Sequence, residues 1–245
     1  VATAAIPDPH HAEHDAHSAH PPTSTGLNHR KIAVWAFIGS ECMLFASLIS
    51  TYLVYKGRSL AGPYPHEFWC RATNTVGKTA AELGACAPAE VFKPILNIPV
   101  TSASTFVLLM SSLAMVLALA AVENADKPRP AGAWENILRS SKTWLWVTAI
   151  LGTTFLGFQA YEFTSFVHEG LTIRTNLFGS SFFTLTGFHG AHVTVGVLWL
   201  LALLGIDYKR GLKPADAVNV DIAALYWHFV DVVWIAIFTL IYLIQ

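Results

Sequence analysis

The sequence predicts an all-α integral membrane protein, a bundle of five transmembrane helices. Three observations carry this. The chain of 245 residues is 53% hydrophobic and only 13% charged, whereas soluble domains average about 25% charged residues. Five stretches stay apolar over about 20 residues or more, the length a helix needs to cross ~30 Å of hydrocarbon. Lys and Arg are dense in alternate connections between those stretches, as in a chain threaded back and forth across a bilayer. The formal net charge of −1 gives no electrostatic ground for nucleic acid as a partner. No GxxxxGK[ST] or GxGxxG loop occurs, so nucleotide chemistry is unsupported.

Residues 1–30 form a His-rich tail, with His10, His11, His14, His17, His20 and His29 among Pro7, Pro9, Pro21 and Pro22. That composition cannot bury a core and predicts disorder, with only adventitious metal binding. The tail is polar, so no signal-peptide core is expected in it. Residues 31–245 are the membrane domain. Its spans are expected at about 32–55, 98–122, 144–166, 177–206 and 222–244, with an external loop over 56–97. Pro99 opens the second span, where a missing N–H costs little. Trp35, Tyr52, Tyr55, Trp144, Trp146, Tyr226, Trp227 and Tyr242 fall near span ends, where aromatic belts form.

Nine of the Lys and Arg residues lie on the side of the N-terminal flank: Arg30, Lys31, Lys127, Arg129, Arg139, Lys142, Lys209, Arg210 and Lys213. The short connections set orientation, so the N-terminus is expected in the cytoplasm and the C-terminus outside. The loop over 56–97 then faces an oxidising space. It holds Cys70 and Cys86, which predicts a disulfide. Cys42, in an apolar run, is expected to be free and buried. In the fourth span Thr186, Gly190 and Thr194 recur every four residues, as do Gly187 and Ala191. Small residues at that spacing let helices approach closely in lipid.

The ionisable groups within the spans are Glu41, Glu162, His189, His192, His228 and Asp231. Such groups are costly in hydrocarbon, face a bundle interior and seek partners. Glu41 stands nine residues past Ile32, about 14 Å into the bilayer. Asp231 stands nine past Ile222, at matching depth from the same side. His228 and Asp231, spaced i,i+3, share a helix face, and so do His189 and His192. Two readings stand side by side. These groups could ligate a metal or a haem, as carboxylate and histidine ligands do in helical bundles. Alternatively they satisfy one another across helices as structural polar pairs.

The same residues resemble subunit III of the haem–copper respiratory oxidases. Tyr226-Trp227-His228-Phe229-Val230-Asp231-Val232-Val233-Trp234 is similar to that family's W-H-F-V-D-V-V-W signature. Thr186-Gly187-Phe188-His189-Gly190-Ala191-His192-Val193 is similar to T-G-F-H-G-x-H-V. Gln159-Ala160-Tyr161-Glu162-Phe163 resembles Q-x-x-E-Y with Phe for the final Tyr, and Ser40-Glu41-Cys42-Met43-Leu44-Phe45 resembles S-E-x-x-x-F. The resemblance covers about residues 30–245. The family's mitochondrial-type members have seven spans; five-span members lack the first two. The loop carrying Cys70 and Cys86 is not part of the signature.

The resemblance implies a non-catalytic subunit of an aerobic terminal oxidase in the bacterial plasma membrane. Haem and copper would sit in partner subunits, with no cofactor in this chain apart from bound phospholipid. The implied partners are subunit I directly, subunit II, and a small subunit IV. Glu41, Gln159, Glu162, His189, His192, His228 and Asp231 are then buried structural polar residues rather than ligands. By its motif, Glu41 corresponds to the family's carbodiimide-reactive carboxyl, and the subunit supports proton uptake by subunit I. Cytochrome c oxidase is the expected complex. A quinol oxidase, a nitric oxide reductase complex and an independent metal or haem protein are the alternatives.

Overall fold

The computed structural model describes residues 28–60, 62–84, 86–127 and 132–244, apart from the side chains of Ala133 and Trp134. The expected disorder of the His-rich tail lies outside the described residues, except at its end. There Asn28 accepts from the Arg30 amide at 2.9 Å, and this cap starts a helix that already contains His29 and Arg30. The tail therefore ends sooner than composition suggests, because a side-chain cap satisfies an otherwise orphaned N–H.

Five long helices follow one another up and down: α1 (His29–Tyr55), α2 (Ile98–Glu123), α4 (Ser141–His168), α5 (Leu177–Arg210) and α6 (Ala217–Phe238). A short helix, α3 (Ala133–Leu138), leads into α4, and a π-turn (Thr239–Leu243) closes α6. Asn97 and Asn176 cap α2 and α5 through their side chains, and Pro99 lies in the first turn of α2. Gly211, at φ +73, ends α5 in the left-handed conformation that glycine adopts without strain.

Four of these helices are long and apolar enough to cross a membrane: α1, α2, α5, and α6 with its 3₁₀ lead-in. By length alone α4 matches them, at about 1.5 Å per residue. Its apolarity is diluted by Lys142, Gln159, Glu162 and a series of threonines.

In the core α2 packs on both α4 and α6, which meet each other through side chains such as Phe155 and Trp234; α5 packs on α4 and α6, and α1 lies outermost against α5 and α6. Accordingly α1 buries only Ile38, Phe45 and Tyr52, one stripe at heptad spacing. Cys42 sits at the edge of that narrow stripe and is free but exposed, which corrects the expectation that it is buried. The aromatic-belt expectation also needs correction. Tyr52, Tyr226, Trp227 and Tyr242 are buried, whereas Trp35, Tyr55 and Trp146 are exposed. The buried ones are drawn inward by packing or by polar partners described below.

The connection between α1 and α2 is not structureless. It folds as a small antiparallel sheet of β1 (Phe68–Cys70), β2 (Thr75–Gly77) and β3 (Val91–Phe92), in the order β2-β1-β3. This departs from the all-α expectation, because the loop builds its own core. Trp69 packs on Phe92 at 5.3 Å and donates to Asn74 at 3.0 Å. Gly62 lies against the Trp69 ring so closely that a Cβ there would clash. Cys70 and Cys86 are disulfide-bonded.

The sheet is tied to the bundle end. Asn176 donates to the Pro63 carbonyl at 3.0 Å and the Phe178 amide to Ser59 Oγ at 3.2 Å. His66 Nε2 donates to the Ile241 carbonyl at 2.9 Å, which fixes its tautomer, because a carbonyl only accepts. Burial holds the His66 pKa below the usual histidine value.

Candidate functional site

The polar residues of the bundle core are the candidate site, and α2 organises them. Thr101, Thr105, Ser111 and Ser112 line one side of α2, and each meets a side chain from α4, α6 or the closing turn. Thr101 Oγ1 donates to Glu162 Oε1 at 2.8 Å, and Tyr242 OH donates to the same oxygen at 2.9 Å. Trp234 Nε1 donates to Thr105 at 2.9 Å, and Trp227 Nε1 donates to Ser111 at 3.0 Å. Ser112 Oγ lies 2.6 Å from His228 Nδ1. In a medium without water, each pairing removes a penalty that an unpaired polar group would carry.

Sequence reasoning missed these hydroxyls and both tryptophans. The signal was present as Ser/Thr residues recurring on one side of an apolar span. Ser and Thr also bond their own helix backbone in membranes, which makes them ambiguous to read. Glycines opposite Trp227 offered a second signal. A Cβ on Gly152 or on Gly196 would lie within 3 Å of the Trp227 ring. The indole is therefore wedged between α4 and α5 while its N–H reaches α2. The small residues that matter here are outside the fourth-span pattern: of that pattern Thr186 is buried and Gly190 lies against Gln159, whereas a Cβ on Gly187 would meet nothing and Ala191 and Thr194 are exposed.

The predicted polar residues divide into separate sets. Glu162 is buried with two donors. Gln159 is buried and donates to the Thr186 carbonyl at 2.7 Å, while its Oε1 has no partner among the described residues. A Cβ on Gly190 would meet that Gln159 amide at 2.8 Å, so Gly190 leaves room for it.

His189 and His192 point to different neighbours despite their shared face. His189 is fully buried, stacked on Trp234 at 4.9 Å and edge-on to Phe155 at 5.8 Å. Among the described residues neither of its nitrogens has a hydrogen-bond partner. His192 faces α1, where its Nε2 lies 3.1 Å from Glu41 Oε2. Its Nδ1 donates to the Phe188 carbonyl at 2.8 Å, so Nδ1 carries a hydrogen. A hydrogen bond between Glu41 Oε2 and His192 Nε2 then needs a hydrogen on one of those two atoms. Both side chains are only partly covered, so in this chain the two lie between α1 and α5 rather than in the deepest core.

His228 and Asp231 do share a face. His228 finds Ser112. Asp231 is buried, yet both of its oxygens lack a partner of hydrogen-bonding geometry among the described residues. Ser112 is near enough to act on Asp231, but its hydroxyl is engaged with His228. This corrects the expectation that each of the two has its own polar partner: Ser112 serves His228, and Asp231 has no hydrogen-bond partner among the described residues. Among the described residues no three His, Cys, Asp or Glu side chains converge as a metal-binding group would.

At the end of the bundle that carries His29, ion pairs replace buried contacts. Lys31 pairs with Asp221, and Arg210 binds both oxygens of Asp216 at 2.8 and 3.1 Å. The Arg210 guanidinium holds the Asp216 carboxyl below the usual carboxylate range. Arg30 adds a bond to Asn219 at 3.1 Å. Lys31 and Arg30 thus tie the start of α1 to the start of α6, and Arg210 ties the end of α5 to it.

The chain is similar in sequence to known proteins. The family profile described as cytochrome c oxidase subunit III matches residues 66–245. Cytochrome c oxidase subunit 3 of Bacillus sp. (strain PS3) is 37% identical over 212 residues, covering 86% of this chain and 84% of that protein. Quinol oxidase subunit 3 of Bacillus subtilis is 33% identical, covering 86% and 85%. Cytochrome bo(3) ubiquinol oxidase subunit 3 of Pseudomonas aeruginosa is 31% identical over 97% of this chain and 94% of its own length. The chain belongs to the cytochrome c oxidase subunit III family.

Proposed function

We propose that this protein is the non-catalytic subunit III of a proton-translocating cytochrome c oxidase in a bacterial plasma membrane. It spans the membrane five times, with its N-terminus in the cytoplasm and its C-terminus outside. It stabilises subunit I directly, contacts subunit II and a small subunit IV within the same complex, and retains phospholipid. It carries no haem or metal of its own and supports proton uptake by subunit I, with Glu41 and His192 as the pair nearest that role. One observation carries this reading. The ionisable residues of the spans are used one or two at a time, between helices, against hydroxyls and aromatic rings. Such an arrangement holds a bundle together.

The fifth span is α4. It is as long as its neighbours and packs on α2 and α5, so Thr148, Gln159 and Glu162 turn inward. The loop sheet and its disulfide support an external loop, since disulfides persist in oxidising compartments. The basic residues cluster at the opposite end, which supports a cytoplasmic N-terminus. A quinol oxidase is the second reading, favoured by the relatives named as quinol oxidase subunits.

Co-purification tests the proposal. Mild detergent extraction of the tagged chain should bring down a larger subunit carrying haem and copper, together with a chain bearing a dicopper site. The separated chain should contain neither metal nor haem at stoichiometric levels. Stoichiometric haem or metal in the separated chain would overturn the reading. A partner lacking the dicopper site would turn it to the quinol oxidase.

A further inference from the structure

At the His29 end of the bundle, a cavity of about 290 Å³ opens between the end of α2, helix α3, the start of α4 and the end of α5. Three cations line it: Lys127, Arg139 and Lys142. Among the described residues its lining holds one carboxylate, Asp207, whose charge is already engaged. Asp207 Oδ2 accepts from Ser141 Oγ at 2.6 Å, and its Oδ1 accepts from the Leu212 amide at 3.0 Å. Lys142 lies over the Tyr208 ring at 4.9 Å, and neither it nor Lys127 forms an ion pair among the described residues. Asn136 also lines the cavity, and its Oδ1 is shielded from solvent without a hydrogen-bond partner among the described residues.

A second, apolar groove of about 320 Å³ adjoins it. It is lined by Leu117, Ala120, Leu138 and Trp144, and shares Ala121, Asn124 and Arg139 with the cationic cavity. A polar chamber with excess positive charge thus continues into an apolar channel at a helix end. Basic pockets between spans at such ends take lipid headgroups.

We propose that the cavity and groove together form a binding site for one anionic glycerophospholipid. The phosphate sits among Lys127, Arg139 and Lys142, a headgroup hydroxyl donates to Asn136 Oδ1, and an acyl chain lies along Ala120, Leu138 and Trp144. The groove is what separates a lipid from a free phosphate, which would need only the chamber. The inference rests on the membrane placement proposed above, and on no other part of that reading.

Native mass spectrometry of the complex, purified in mild detergent and supplied with defined lipids, tests it. Phosphatidylglycerol should be retained on the wild-type complex in preference to phosphatidylcholine. The double substitution Lys127→Ala with Lys142→Ala should weaken retention about 30-fold, at about fivefold per surface-proximal lysine. Changing both to Arg should restore it. Ala120→Trp should displace the lipid while leaving the charges in place. Equal retention of both lipids, unchanged retention in the double Ala variant, or competition by inorganic phosphate alone would each overturn the site. The same spectrum reports subunit stoichiometry. Loss of a partner chain would therefore register as failure of the assembly reading, separately from loss of lipid.

Discussion

Helices α1 and α6 are both apolar and of membrane length, yet they are held in opposite ways. Along its whole length α6 is gripped: Trp227 and Trp234 each reach α2 through an indole N–H and lie against α4. By contrast α1 buries a single stripe, Ile38, Phe45 and Tyr52. Its polar link within the membrane is Glu41 to His192, and Lys31 and Lys56 fasten its two ends. Lipid tails solvate an apolar helix face as well as another helix does, so hydrophobicity alone does not fasten α1. Shape and polar contacts do, and α6 has far more of both.

The largest effect should come from the grip on α6. Trp227→Ala would empty the wedge between Gly152 and Gly196 and leave Ser111 without its donor. Large-to-small changes at buried aromatic sites cost about 3–5 kcal/mol. We expect loss of folded chain after detergent extraction, read as a collapse of the thermal transition. A transition within a few degrees of wild type would show that the wedge is not what holds α6.

Next come the buried acids, which differ in the number of their partners. Replacing Glu162 with Leu leaves the buried Tyr242 hydroxyl without its acceptor, at about 1–3 kcal/mol for a buried group left unpaired, while Thr101 keeps the Asn97 carbonyl at 3.1 Å. Asp231→Asn removes a carboxyl that has no hydrogen-bond partner among the described residues, so it should change stability far less. Equal losses in the two variants, in matched unfolding experiments, would mean that partners do not decide the cost.

Glu41 sharpens the comparison from the side of α1. Gln keeps a neutral hydrogen-bonding shape, so Glu41→Gln should leave the chain as stable as wild type. Glu41→Ala leaves His192 Nε2 alone and should loosen α1, seen as faster amide exchange over residues 33–50. A Gln variant that assembles fully but pumps fewer protons per electron would give Glu41 a proton-handling role as well. If the Ala variant exchanges as slowly as wild type, the polar link contributes nothing to holding α1.

Much of this was legible in the sequence and some was not, for a physical reason. Span length follows from bilayer thickness, so α2 and α5 begin at the expected residues. Cys70 and Cys86 were readable because compartment chemistry constrains them. Which face of each span looks inward was not readable. In lipid both faces are apolar: Val232 is exposed while Val230 and Trp234 are buried, on one stretch of α6. For the same reason Cys42 was misplaced and Trp227 was assigned to a belt. Asp231 could be placed in the interior by its charge, but whether it would find a donor depended on Ser112, which another helix supplies.

The smallest effect is expected at the loop, where His66 joins the sheet to the end of α6. Burial lowers its pKa in the folded state, so the folded loop favours neutral His66. That contribution is present above the unfolded histidine pKa of about 6.5 and is lost as pH falls below it. Lowering the pH from 7.5 to 5.5 should lower the amide protection factors of residues 62–70, taken relative to the intrinsic exchange rate at each pH, and His66→Gln should abolish the difference. Unchanged protection across that range would remove His66 as a tether.

The most direct test of the account is to strip this chain from the purified oxidase and follow the remainder. The remaining complex should keep its haem and copper content and its initial rate of oxygen reduction, and then lose activity progressively during turnover. Departure of haem or copper with this chain, or an initial rate at background, would contradict a non-catalytic, stabilising subunit III.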